Sequence, residues 1–192
     1  MNPLIVNAGT ELSAQVTRFC ADEAEVLEGL AQRLAELFAE GGRLLTAGTG
    51  MMQFVAQLVA AQFAYRLDFH RPALPAICLG SDALLMSAMV TAGDYEQSLL
   101  RHYRILEQEH QLLLLFSDGR PDAAVRRLWD ELREQQVPLA LVSVSGAEDP
   151  LYSDDITSCL HLVATAKARQ LELMQFTGHL LAELVEAELF PH

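Results

Sequence analysis

Four short stretches of the chain are apolar almost without interruption: Arg43 to Ala47, Ala76 to Leu79, Leu112 to Phe116 and Leu139 to Val144. A strand with one wet face alternates apolar and polar residues. A run without alternation is a strand covered on both faces, the condition of a parallel sheet between layers of helices. The segments between the runs fit this reading. Gly48-Thr49-Gly50 makes a tight turn after the first run, and an apolar helix follows from Met52 to Leu67. A helix capped by Ser81 or Asp82 follows the second run, and one from Pro121 to Gln136 follows the third. A last strand, Cys159 to Val163, leads into a long helix from about Lys167 to Glu188 that carries Leu171, Met174, His179, Leu180 and Leu184. Ahead of the first strand, Thr10-Glu11-Leu12-Ser13 and then Leu27, Leu30, Leu34 and Leu37 predict one or two N-terminal helices closed by Gly41-Gly42. The pattern predicts a three-layer α/β sandwich: a parallel sheet flanked by helices, with N-terminal helices and a long C-terminal helix.

The 192 residues contain no internal repeat, linker or low-complexity tract. The expectation is one domain over residues 1–192, with a helical segment over 1–41 and the α/β core and C-terminal helix over 42–192. A hydrophobic content of 51% against 20% charged residues separates the chain from disordered compositions. Its 26 Asp and Glu against 13 Lys and Arg give a net charge of −13, the wrong sign for gripping nucleic-acid phosphates. No apolar stretch approaches the roughly 18 to 20 residues that cross a bilayer, and no basic segment precedes an apolar one at the N-terminus. A soluble cytoplasmic protein is expected. Cys20, Cys78 and Cys159 are odd in number and isolated, which fits small buried residues better than a disulfide framework or a zinc knot.

In an open parallel sheet ligands bind at the carboxyl ends of the strands, so three loops matter: Gly48 to Met52, Gly80 to Asp82, and Ser117 to Asp122. The first has the form of a phosphate-binding turn, in which glycines let backbone amides approach an anion at a helix N-terminus. The same glycines also serve a tight turn with no ligand. No Gly-x-Ser-x-Gly elbow, Walker lysine loop, His-Glu-x-x-His or paired-cysteine motif is present, and the third glycine of the dinucleotide fingerprint is missing. Asp94 and Glu96 have the positions of a loop base, or of two solvated acids. Met51, Met52, Met86 and Met89 suit either the core or a flexible apolar lining. His102, within Arg101-His102-Tyr103-Arg104, is expected on a solvated or intersubunit basic face.

The order of Gly48-Thr49-Gly50, Arg71-Pro72-x-Leu74-Pro75-Ala76-Ile77 and Ser117 resembles the sugar isomerase (SIS) family. Within it the chain is similar to the branch that holds the phosphoheptose isomerases and the DnaA initiator-associating proteins. The ending Glu188-Leu189-Phe190-Pro191-His192 resembles the initiator-associating members. The resemblance implies a five-stranded parallel sheet and a homotetramer. It places a ligand pocket at Gly48, Thr49, Gly50, Met52, Ser117, Asp118, Gly119 and Arg120. The branch's enzymes carry Gly-Asn-Gly-Gly-Ser in the first loop and Ser-Thr-Ser-Gly-Asn-Ser in the third, whereas this chain has Gly48-Thr49-Gly50-Met51-Met52 and Ser117-Asp118-Gly119-Arg120-Pro121-Asp122. Asp118 and Asp122 set negative charge where a phosphate dianion would sit.

The resemblance also maps the enzymes' metal and catalytic groups onto Leu58, Gln62, Leu171 and His179. Only His179 is retained, and one imidazole neither holds zinc nor moves a proton in both directions. The implied function is a catalytically silent SIS adaptor, with no metal and no cofactor, that binds the initiator DnaA and promotes chromosomal replication. Leu189 and Phe190 are either its apolar anchor for DnaA or packing residues. The alternative is a phosphoheptose isomerase-like enzyme or a sugar-phosphate-binding regulator.

Overall fold

The computed structural model describes residues 2–67 and 69–191. The N-terminal helical stretch is two helices, α1 (Pro3–Asp22) and α2 (Ala24–Ala39). Asn2 caps α1 by accepting the Leu4 N–H, and Pro3 follows in the first turn, where no intrahelical bond is lost. α2 stops at its glycines: Gly41 adopts φ +76°, and the Gly42 N–H reaches back to the Leu37 carbonyl at 2.8 Å.

There follow β1 (Arg43–Gly48), α3 (Met52–Ala64), β2 (Ala76–Cys78), α4 (Ala83–Ala92), α5 (Ser98–Leu106), β3 (Gln111–Ser117), α6 (Ala123–Glu134), β4 (Leu139–Ser143), β5 (Ser158–His161) and α7 (Lys167–Leu189). The five strands form one parallel sheet in the order β2-β1-β3-β4-β5. The direction of winding reverses between β1 and β3, so the loops after these two strands flank the switch point. Alternate residues of β3 serve different layers. Leu112, Leu114 and Phe116 join the core made with α2, α3 and α7, and Leu113 and Leu115 join that made with α5 and α6.

The boundaries differ from the sequence pattern where side chains take over the backbone. Asp82, not Ser81, caps α4 by accepting the Leu85 N–H. Asp122 caps α6 through the Val125 N–H, which leaves Pro121 outside the helix. α3 ends at Ala64 rather than Leu67, and β5 begins at Ser158 and ends at His161 rather than running from Cys159 to Val163. Helix α5 has no counterpart in the sequence reading. Its polar Arg101-His102 and Arg104 obscure the buried face made by Leu99, Leu100 and Tyr103.

The end of α3 depends on one buried ion pair. Arg71 Nε lies 2.6 Å from Glu186 Oε1 of α7, with side-chain exposures of 0% and 4%. The same guanidinium donates to the Gln62 and Phe63 carbonyls at 2.9 and 3.0 Å, two of the acceptors that the last turn of a helix leaves open. Glu186 also accepts the Leu67 N–H. One side chain therefore closes α3, turns the chain toward β2 and anchors α7. Close contact between α3 and α7 adds to this, since a Cβ at Gly178 would stand 2.4 Å from Val59 Cγ2.

Arg71→Ala strands the Glu186 carboxylate in the core. It is expected to cost about 3–5 kcal/mol in urea unfolding, with most of the loss recovered when Glu186 is also replaced by an apolar residue. A loss below about 1 kcal/mol, the range of surface pairs, would show that this pair does not hold the fold.

Candidate functional site

Beyond the switch point the loops after β1 and β3 are tied to each other. Thr49 is fully buried, and its N–H donates to the Phe116 carbonyl at 2.9 Å. Its hydroxyl donates to Asp118 Oδ1 at 2.6 Å and accepts the Asp118 N–H at 2.8 Å. Asp118 Oδ1 also accepts the Arg120 N–H at 3.1 Å, and the Gly119 N–H goes to the buried Ser117 Oγ at 3.0 Å. Donors that such a loop turns toward a bound anion are here used by the chain's own carboxylate and hydroxyl. Asp118 is a built-in anion.

The residues expected to form one pocket border two separate cavities. Met52, Asp118 and Arg120 border a cavity of about 180 Å³, together with Met51, Lys167 and Gln170. Gly48 and Gly50 border another of about 150 Å³, with Gln53, Gly80, Tyr95 and Asp122. Gly48 cannot bear a side chain, because a Cβ there would lie 2.4 Å from the Met52 carbonyl carbon at the start of α3. Met86 lines the second cavity, Met89 is buried, and Asp94 and Glu96 are exposed.

Three residues of this region have roles that the sequence does not announce, because each bonds to a partner 22 to 27 positions away. Gln53 accepts the Gly48 N–H at 2.9 Å and donates to the Leu79 carbonyl at 2.6 Å, joining the ends of β1 and β2. Tyr95 donates its hydroxyl to Asp122 Oδ2 at 2.6 Å. Partial burial, then the Asp122 hydrogen bond and charge, push the Tyr95 phenol up to about 12. His102 is half-buried, and its Nδ1 accepts the Gly80 N–H at 3.0 Å. Of the expected solvated or intersubunit basic face, the solvated form does not hold for His102: its ring is a neutral acceptor that holds the turn after β2.

The family resemblance assigns the enzymes' metal and catalytic groups to four positions on α3 and α7. Leu58, Gln62, Leu171 and His179 are all half-buried, on α3 and α7. Gln62 Oε1 is buried and accepts no hydrogen bond among the described residues. No group of three or more His, Cys, Asp and Glu side chains gathers closely enough among these residues to hold a metal ion. At the other end of α7, Leu189 and Phe190 are half-buried against the core, and the Phe190 ring meets Phe69 edge-on with centroids 6.2 Å apart. His192 lies outside the described residues.

A parallel α/β sandwich with two polar loops at its switch point defines a class of protein whose ligands meet the sheet's carboxyl edge. The chain belongs to the SIS domain family, whose profile matches residues 9–143. It is 29% identical over 168 residues to a phosphoheptose isomerase of Roseiflexus sp. (strain RS-1), covering 88% of this chain and 84% of that one. It is 26% identical over 179 residues to the DnaA initiator-associating protein DiaA of Yersinia pestis (strain Pestoides F), covering 92% and 91%. Its fold matches that of a phosphoheptose isomerase from Francisella tularensis with a TM-score of 0.81, at 21% identity over 96% of this chain and 98% of that one.

Two outcomes are expected at this site. Burial lowers the His102 pKa from its ordinary 6.5, against a smaller upward pull from Asp82, so on acidification the unfolded chain binds this proton first. The stability tied to neutral His102 is thus full above about pH 6.5 and falls as pH drops from there through the lower folded value. Chemical unfolding at stepped pH should show this slope, and His102→Asn should flatten it. Asp118→Ser removes the built-in anion and should raise affinity for inorganic phosphate by roughly tenfold or more in equilibrium titration, about 1.4 kcal/mol. No gain would mean that the carboxylate is not what excludes anions.

Proposed function

We propose that this protein is a catalytically silent SIS-domain adaptor that binds the replication initiator DnaA and promotes initiation of chromosomal replication. The observation that carries the reading is Asp118, which occupies the loop donors with a carboxylate of the chain itself. Leu58, Gln62 and Leu171, in place of the enzymes' metal and catalytic groups, point the same way, as does the similarity to DiaA over most of both chains. An acidic scaffold of net charge −13 suits a basic, DNA-binding client.

We further propose one domain over residues 1–192, assembled as a cytoplasmic homotetramer. Leu4, Ile5 and Val6 of α1 and Leu84 and Val90 of α4 are exposed apolar side chains that symmetric pairing would cover. Equivalent docking faces on one assembly would raise the effective concentration of bound initiators. No helix among the described residues is long and apolar enough to cross a membrane.

A second reading has its own support. The relatives named phosphoheptose isomerase, and the Arg120 and Lys167 side chains beside the cavity at Met52, favour a sugar-phosphate isomerase or sugar-phosphate-binding regulator. Calorimetric titration against purified DnaA and against sedoheptulose 7-phosphate separates the two. The adaptor reading expects DnaA binding alone, and isomerase turnover abolished by His179→Ala would overturn it.

We propose Leu189 and Phe190, which are half-buried against the core, as the DnaA anchor, with packing as their alternative role. The double substitution Leu189→Ala, Phe190→Ala is expected to weaken DnaA binding by roughly tenfold or more, about 1.4 kcal/mol, with oligomer mass retained. Dissociation of the oligomer, or a large drop in melting temperature with no binding defect, would assign both side chains to packing.

A further inference from the structure

β5 ends the sheet. It pairs with β4 alone among the described residues, so the N–H and C=O groups on its outer side have no strand partner. Beside it lies a concavity of about 650 Å³, larger than either loop cavity, bordered by Gly29 of α2, by Ser158 and His161 of β5, and by Gly146. Gly29 stands in the interior of α2, where glycine costs about 0.5–1 kcal/mol relative to alanine. A Cβ at Gly29 would meet nothing within 4 Å, so packing within this chain does not require the glycine. Its effect is to keep the α2 wall low where it borders the groove. Gly146 differs: a Cβ there would lie 2.6 Å from the His161 ring, so that glycine lets the ring lie against the turn at the end of the groove.

The groove has a sign. Glu25 and Asp154 border it, and Glu28 and Glu148 are exposed neighbours of bordering residues. Cys159, also on the border, has its thiol pushed up to about 11 by burial and then by the charges of Asp149 and Glu23. Arg33 also borders the groove.

We propose that the open edge of β5 is a docking site for an extended, basic peptide segment of a partner protein, which adds to the sheet beside β5 and lies in the groove against α2. Strand addition is the chemistry that an unpaired edge asks for: backbone bonds supply the affinity, and alternate side chains facing the groove supply the selection. The acidic border selects lysine or arginine, and the space over Gly29 admits the peptide backbone. The inference stands whether or not DnaA is the partner.

The test uses a fluorescent acetyl-(Val-Lys)3-amide peptide, the same peptide N-methylated at alternate residues, and its Val-Glu counterpart, each titrated by anisotropy against the full chain. The Val-Lys peptide is expected to bind and to slow amide exchange over Ser158–His161. N-methylation, the Lys to Glu exchange and Gly29→Leu should each weaken binding by roughly tenfold or more. Leucine is the better helix former, so Gly29→Leu fills the groove while the fold holds, which a thermal melt checks. Equal binding of the N-methylated peptide would reduce the effect to charge attraction and overturn the proposal. So would unchanged exchange in β5, or an oligomer of this chain that covers the β5 edge and dissociates on Gly29→Leu.

Discussion

From Gln111 to Ser117 every residue of β3 is buried, with side chains packed alternately into the two helical layers. A strand in that position leaves no room for solvated polar groups along its length, so polar chemistry is confined to the strand ends. Most of the polar side chains inside the sheet are bonded, although Gln111 Oε1 has no partner among the described residues. Thr46 Oγ1 donates to the Ala56 carbonyl at 2.7 Å, and Ser143 Oγ donates to Asp149 Oδ2 at 2.6 Å. The loops after β1 and β3 thus become the place where this fold meets a ligand or gives one up.

At that place a charge internal to the chain does what a ligand's charge does in a phosphate-binding loop. A carboxylate that accepts a hydroxyl and a backbone N–H stabilises the loop without any small molecule. The cost is selectivity: a dianion approaching Asp118 meets repulsion and finds donors already in use. Such a substitution trades binding chemistry for a rigid platform. A fold whose relatives include enzymes can carry more than one role, since function resides in sites set upon folds and not in the folds themselves.

Within Arg71-Pro72-x-Leu74-Pro75-Ala76-Ile77, one of the segments that carried the family resemblance, Arg71 serves architecture. Arg71 gathers the end of α3, the connection to β2 and the buried Glu186 of α7 into one cluster of bonds. What this segment does is close one helix and anchor another.

The parallel sheet was legible in the sequence, since two-sided burial writes itself as unbroken apolar runs such as Leu112 to Phe116. The end of α2 was legible for a related reason, since Gly41 and Gly42 act on backbone groups only a few residues away. The start of α4 was legible to within Ser81 or Asp82; the Asp122 cap that leaves Pro121 outside α6 was not read. Helix α5 was not legible either, because its apolar face is interrupted by polar residues whose roles depend on other elements, as with His102 and the Gly80 turn. The same limit hid the long-range bonds of Gln53, Tyr95 and Arg71, which span 26 to 115 positions and arise only when distant segments are folded together. Asp118 lies between the two cases. Its negative charge in the third loop could be read along the chain, but its union with Thr49, 69 residues away, was decided by the pairing of β1 with β3, which brings the two loop starts side by side.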